Sequence, residues 1–308
     1  MKINQTKTLS SLLFIFIPTV LILIGFLFFP NVIIEGSQIY NLLAVPLFIG
    51  LIILFSGFLI KKDFLSNKIK IVGWFVFASY WSVMPKTLYF GEEEDLVNAF
   101  ICIAGVYIFS YFAYHEWLSI KKREQVGCLN WIAGASAIAG LIYFGIELSP
   151  LKDILIESVA FQSAKLLDLF TGNVSVYGHD IYYNGSYAVT IIFACTAVQS
   201  FVIFIGMIFA LKKLEAKRIL IGLLLTVVPV YLLNLIRNAS VVYLIGNNIT
   251  DFGTAHNILG KGGSLIALVI LLLIVTKFIP EIMNEIMCLT DLPKRRGPLE
   301  KLIFRRNK

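Results

Sequence analysis

Charged residues are scarce: they make up 15% of the 308-residue chain, against about 25% in an ordinary soluble domain. Apolar residues, counted with tyrosine, reach 58%, where about 45–50% is usual. That shortage excludes an ordinary soluble enzyme, and it excludes intrinsic disorder. Cysteine is sparse too. The four cysteines, at positions 102, 128, 195 and 288, form no CxxC and no Cys/His zinc spacing. No metal site, no cofactor and no disulfide framework is therefore expected. Internal repeats, low-complexity tracts and a separate soluble domain are also missing. Only three histidines occur, His115, His179 and His256, so each histidine is worth placing.

Long apolar runs fill the space that charge leaves. Eight spans are expected, at about 12–29, 42–60, 69–85, 96–114, 126–148, 188–211, 219–245 and 264–283. Most reach the roughly 17–25 residues that a helix needs to cross the hydrocarbon core. The first has a basic start but no small-residue cleavage site behind it, and it reads as a retained anchor. The third is the weakest, and the seventh is long and interrupted by Asn234, Arg237 and Asn238. The fold class is an all-α polytopic membrane protein of about eight transmembrane helices.

The net charge of +7 comes from 26 Lys and Arg against 19 Asp and Glu. Segments on one side of the eight spans carry 21 of the basic residues, those on the other side carry 4, and Arg237 lies within a span. The positive-inside bias puts both termini in the cytoplasm of a plasma-membrane protein. Glu92, Glu93, Glu94 and Asp95 then form an external acidic run, and Lys294, Arg295, Arg296, Arg305 and Arg306 form a basic cytoplasmic tail at 284–308 suited to anionic headgroups. The longest external segment, 149–187, reads as a lid. Ile154, Val159, Leu166, Leu167 and Phe170 mark an amphipathic helix, and Val174–Tyr177 and Ile181–Tyr183 flank a Gly178-His179-Asp180 turn like a hairpin. Asn173, Asn184 and Asn248 begin external glycosylation sequons.

Ionisable groups at membrane depth are costly and therefore point to function. Arg237 lies eighteen residues along the seventh span, roughly 27 Å from Ile219, near the outer boundary. Asn234 is three residues earlier, on the same helical face. Cys195 lies seven residues, roughly 10 Å, into a sixth span that starts near Ala188. Thr196, Gln199 and Ser200 crowd it, with Gln199 expected one turn away on the same face. His256 sits in the short external loop before the last span, and His179 is its weaker rival. A thiolate nucleophile, a cation that favours it, and a histidine that takes and returns a proton make a covalent-catalysis set at one outer boundary. Arg237 would stabilise an oxyanion in a water-poor site.

These residues resemble the exosortase/archaeosortase family. Ala194-Cys195-Thr196-Ala197-Val198-Gln199-Ser200 is similar to that family's Ala-Cys-[Ser/Thr]-Gly-[Ile/Val]-[Arg/Gln]-Ser box. Asn234-Leu235-Ile236-Arg237-Asn238 is similar to its Asn-x-x-Arg-Asn box, and His256 with Gly260 and Gly262 to its histidine block. The likeness covers about residues 185–280, the expected catalytic core, while 1–148 matches only as accessory spans. Thr196 and Gln199 lean toward the archaeosortase branch, and Ala197 departs from the family's usual glycine. The resemblance implies a cysteine peptidase or transpeptidase working through a thioester. Cys195 would be the nucleophile, Arg237 the electrostatic stabiliser and His256 the acid/base, with Asn234, Asn238, Gln199, Ser200 and Thr196 in support. Its partners would be secreted surface proteins, typically S-layer glycoproteins, that end in a Pro-Gly-Phe-like motif, a transmembrane helix and a basic tail. The new C-terminus would pass to a membrane phospholipid. Two other classes compete. A small-solute transporter would use the interrupted seventh span, but such folds usually show paired halves and midplane sites. A non-catalytic scaffold for secreted proteins would leave Cys195 unreactive.

Overall fold

The computed structural model describes residues 2–91, 95–255 and 262–303. Glu92, Glu93, Glu94, His256, Gly260, Arg305 and Arg306 lie outside the described residues. The chain is mostly helical and divides into two compact units, residues 1–137 with 284–308, and residues 138–283.

The first unit contains α1 (Lys2–Phe28), α2 (Gln38–Leu59), α3 (Asp63–Trp81), α4 (Met84–Phe90) and α5 (Leu96–Lys122). In α2, Leu43, Leu47, Gly50, Leu51, Leu54 and Gly57 are buried along one face. The opposite face is also apolar, with Leu42, Val45, Ile49 and Ile52 exposed. A helix apolar all round belongs inside a large core or a membrane, and this one lacks a protein cover for half its surface. Small residues let α2 and α3 approach closely. A methyl group at Gly50 would come within 2.7 Å of the Phe77 backbone nitrogen, and one at Gly73 within 2.9 Å of Leu54.

Four described helices are long and apolar enough to cross a membrane: α2, α5, α6 (Gly127–Glu147) and α9 (Ala216–Gly246). A fifth results if α11 (Ser264–Phe278) and α12 (Pro280–Thr290), bent by 114°, form one span. The other expected spans coincide with helices that fall short by length or hydropathy. The described apolar part of α1, Leu12–Phe28, and α8 (Val198–Phe209) are short, and α3 carries Asn67, Lys68 and Lys70 in its first half.

Polar groups inside the first unit pair with each other. Lys70 Nζ of α3 lies 2.8 Å from Glu116 Oε1 of α5, and both side chains are almost fully buried. One residue before Glu116, buried His115 Nε2 lies 3.2 Å from Glu300 Oε1 of α13 (Pro298–Ile303). The hydroxyls of Tyr111 and Tyr114 donate to the two oxygens of the same carboxylate. Arg295 donates to the His115 carbonyl, Ser119 Oγ and Glu124. These contacts lock the segment after α12 onto α5. Burial pushes the Glu300 carboxyl up, but hydrogen bonds from His115, its own backbone and Tyr114 outweigh it and hold the group below the usual carboxylate range.

The expectation of no disulfide is corrected here: Cys128, at the start of α6, is joined to Cys288 of α12. They are 160 residues apart in sequence, so no local spacing announces the pair.

In the second unit, α7 (Leu151–Thr171) is the expected amphipathic helix. It buries Ile156, Val159, Ala160, Ser163, Ala164 and Leu167, at the spacing of one helical face. The stripe differs from the expected one: Val159 and Leu167 are buried, whereas Ile154 and Phe170 are exposed. Strands β1 (Val174–Tyr177) and β2 (Asp180–Tyr183) form the expected hairpin. A third antiparallel strand, β3 (Ser186–Thr190), follows and pairs with β2. It occupies the place where the sixth span was expected to begin as helix. The sheet's inner residues Ile181, Tyr183, Ala188 and Val189 share one buried core with α7, Val198, Leu235, Ala239 and Val242.

Candidate active site

The β3 strand ends at Thr190, and the chain then bends. The Ile191 amide donates to the His179 carbonyl across the sheet end. A 3-10 turn, Phe193–Thr196, follows and carries Cys195. Buried Phe193 anchors it, with its ring 5.2 Å from that of Tyr143 on α6. Thr196 closes it: its hydroxyl donates to the Phe193 carbonyl at 2.7 Å. Ala197 then adopts a left-handed conformation, φ 64°, and caps α8, accepting hydrogen bonds from Ser200 and Phe201. Cys195 is therefore not inside a helix. It sits half-buried on a turn leading into a helix N-terminus, an environment that favours negative charge.

This geometry corrects one expectation and explains another. Gln199 is exposed in the first turn of α8, and the left-handed residue between it and Cys195 removes the one-turn relation. Ser200 serves the helix start through its backbone amide. The glycine usual in the similar family box suits position 197 because its φ is positive, where a Cβ costs roughly 1–2 kcal/mol.

The second half of the site comes from α9. This helix runs unbroken from Ala216 to Gly246, so Asn234, Arg237 and Asn238 do not interrupt it as expected. Asn234 and Asn238, four residues apart, project from one face. Their Nδ2 atoms both donate to the Cys195 carbonyl, at 2.7 and 3.1 Å. Both side chains are buried. Arg237 Nη1 donates to Asn234 Oδ1 at 3.3 Å, which bears out their common face. Arg237 Nε is buried and has no hydrogen-bond partner among the described residues.

Sequence reasoning missed Tyr231, three residues before Asn234. Its hydroxyl donates to Gln162 Oε1 of α7 at 2.9 Å, and Gln162 donates on to Ser158. This ties α9 to the helix packed behind the cysteine turn. The helical spacing Tyr231–Asn234–Asn238 was a usable signal. His256 lies outside the described residues, but Ala255, its neighbour, is buried in the same core as Val198 and Leu235. Asp251 opens this short stretch, α10 (Phe252–Ala255), accepting from the backbone and hydroxyl of Thr254. Those bonds hold its carboxyl below the usual range. His179 contributes its backbone to the sheet end.

The fold and this constellation define a class: a mostly helical membrane protein with a cysteine-centred polar site. Residues 130–275 match the family described as Transmembrane exosortase (Exosortase_EpsH). Archaeosortase A of Haloferax volcanii is 23% identical over 263 residues, covering 72% of this chain and 84% of that protein. Archaeosortase A of Natronomonas pharaonis is 28% identical over 178 residues, covering 54% of each chain. No solved structure is significantly similar. These matches support assignment of the chain to the exosortase/archaeosortase family.

Proposed function

We propose that this protein is a membrane-embedded cysteine peptidase and transpeptidase, with 185–280 as its catalytic core. It cleaves a C-terminal sorting signal from secreted surface proteins and transfers the new C-terminus to a membrane lipid. The observation that carries the reading is the double clamp of Asn234 and Asn238 on the Cys195 carbonyl, beside Arg237. Two buried amides spent on one backbone oxygen fix the turn that presents the thiol. Such positioning is worth having where a reacting atom must be held in place.

The chemistry follows from the residues. The Cys195 thiolate attacks the scissile carbonyl carbon, and the Arg237 guanidinium stabilises the oxyanion. Collapse breaks the C–N bond, leaving a thioester on Cys195. His256, having taken the thiol proton, returns it to the departing amine. An amine of a lipid headgroup then attacks the thioester, forming an amide and freeing the thiol; water is the competing acceptor. An eight-span arrangement with both termini inside suits the substrate, because a client helix with a basic tail takes the same orientation. Its Pro-Gly-Phe-like motif would then lie at the outer boundary, with the site facing outward.

The test is co-expression with a client bearing motif, helix and basic tail. Cys195→Ala should leave the client at its unprocessed mass while the enzyme stays folded, and His256→Ala should slow processing. Normal processing by Cys195→Ala would overturn covalent cysteine catalysis. Solute flux in liposomes that ignored Cys195 would favour the transporter instead.

A further inference from the structure

Cys128 and Cys288 have a third neighbour. Glu285 lies three residues before Cys288 on α12, on the same helical face. One carboxylate oxygen and the two sulfurs all lie within 4.8 Å of one another. Cys128 is fully buried, in a small apolar cluster with Leu129 and Leu292, and Cys288 and Leu289 pack against it. Two sulfurs and a carboxylate from two helices are the donor set of a zinc site with three protein ligands and one open position. Zinc needs about 2.3 Å to each sulfur and about 2.0–2.2 Å to oxygen, so ligand atoms in this range can surround one ion.

The charge pattern supplies the second observation. Lys121, Lys122 and Arg123 precede Cys128, and Lys294, Arg295 and Arg296 follow Cys288. Basic flanks mark the cytoplasmic ends of spans, and cytoplasmic thiols are kept reduced. Reduction by a cellular dithiol breaks the S–S bond. The two electrons pass to the Cys128 and Cys288 sulfurs, each gains a proton, and the dithiol becomes a disulfide. Two thiols and a carboxylate then face each other in an apolar pocket. Zinc resolves that arrangement by displacing both thiol protons and neutralising two negative charges.

We infer that the reduced protein binds one divalent thiophilic ion, zinc by its ligand chemistry, through Cys128, Cys288 and Glu285. The oxidised protein replaces the ion with the disulfide. Either state ties the C-terminal end of α12 to the start of α6, so the staple persists while its chemistry changes with redox state.

The full-length chain in detergent, reduced with a phosphine and desalted without oxygen, is the material for the test. Elemental analysis after incubation with zinc should find about one ion per chain, and the oxidised chain should hold none. Glu285→Gln should weaken binding by at least about tenfold, the lower end of what even indirect support of a metal site contributes. Cys288→Ser should lose the ion. Reduced protein that binds no zinc, or Cys288→Ser that binds it as tightly as the parent, would overturn the inference. Should Cys288→Ser not fold, cobalt added to the reduced parent decides: a thiolate-to-cobalt charge-transfer band is expected, and its absence is equally fatal. None of these readouts depends on membrane orientation or peptidase activity.

Discussion

Two sets of buried polar groups can be compared, one in each unit. In the first unit, polar groups are answered by partners inside the protein: buried Lys70 by buried Glu116, buried His115 by the Glu300 carboxylate, and part-buried Arg295 by the exposed carboxylate of Glu124. In the second unit, Arg237 meets a neutral amide, and two amides meet a single carbonyl. The first arrangement is closed, with each charge answered inside the protein. The second is open, because the Arg237 charge meets a neutral amide and has no carboxylate partner among the described residues. The difference is between polarity answered within the fold and the polarity that the proposed reaction would use. It also warns that a charge at membrane depth does not by itself mark an active site; its partners decide.

The closed set should break through stability. Glu116→Ala leaves Lys70 buried without its counter-charge, and removing one member of a buried pair costs about 3–5 kcal/mol. Thermal unfolding in detergent should fall sharply, and any loss of activity should track the loss of folded protein. Removing both charges together, as Lys70→Met with Glu116→Leu, should recover most of that stability. If the double variant were as unstable as the single one, the pair would be doing more than answering each other.

The open set should break through rate. Arg237→Ala should keep the fold and cut processing by about 10²–10³-fold, or about 2.7–4 kcal/mol, the usual effect of removing an oxyanion donor. Arg237→Lys keeps the charge but loses the planar fork, and should recover only part of the rate. A client-processing assay alongside a melting curve separates the two effects. A variant that lost melting temperature as Glu116→Ala does would move Arg237 into the closed class.

The clamp lies between the classes. Asn234→Ala removes a donor to the Cys195 carbonyl and the acceptor for Arg237 at once. Asn238→Ala removes only a donor. Leaving a buried polar group unsatisfied costs about 1–3 kcal/mol, and Asn234→Ala should fall at the upper end in processing rate. Equal effects would mean that the Arg237 contact adds nothing.

Much of this comparison was legible before the structure. The apolar runs marked helices, and the i, i+3 spacing of Asn234 and Arg237 placed them on one helical face, where their side chains meet. The segment from 186 to 197 was not legible, because a short apolar run reads equally as strand or helix. Ser186–Thr190 pairs with β2 through contacts that only the tertiary fold supplies. The buried pair Lys70–Glu116 escaped for a related reason: Lys70 sits among Lys61, Lys62 and Lys68, so it counted as one more cytoplasmic charge. The three sequon asparagines, 173, 184 and 248, all have positive φ, at 97°, 52° and 55°. Asparagine tolerates that conformation, so turn geometry alone accounts for them.

The smallest effect tests the turn itself. Ala197 is held at φ 64° between Cys195 and α8, where a side chain costs roughly 1–2 kcal/mol. Ala197→Gly removes the clash but adds freedom to the unfolded chain, which offsets about 0.4–1 kcal/mol. The net gain should be about 0.5–1 kcal/mol, a small rise in melting temperature. Processing should stay within about twofold of the parent, since the clamp on Cys195 is untouched. A fall in stability would mean that the left-handed turn is relaxed with alanine. The strain would then not be the reason that glycine suits this position.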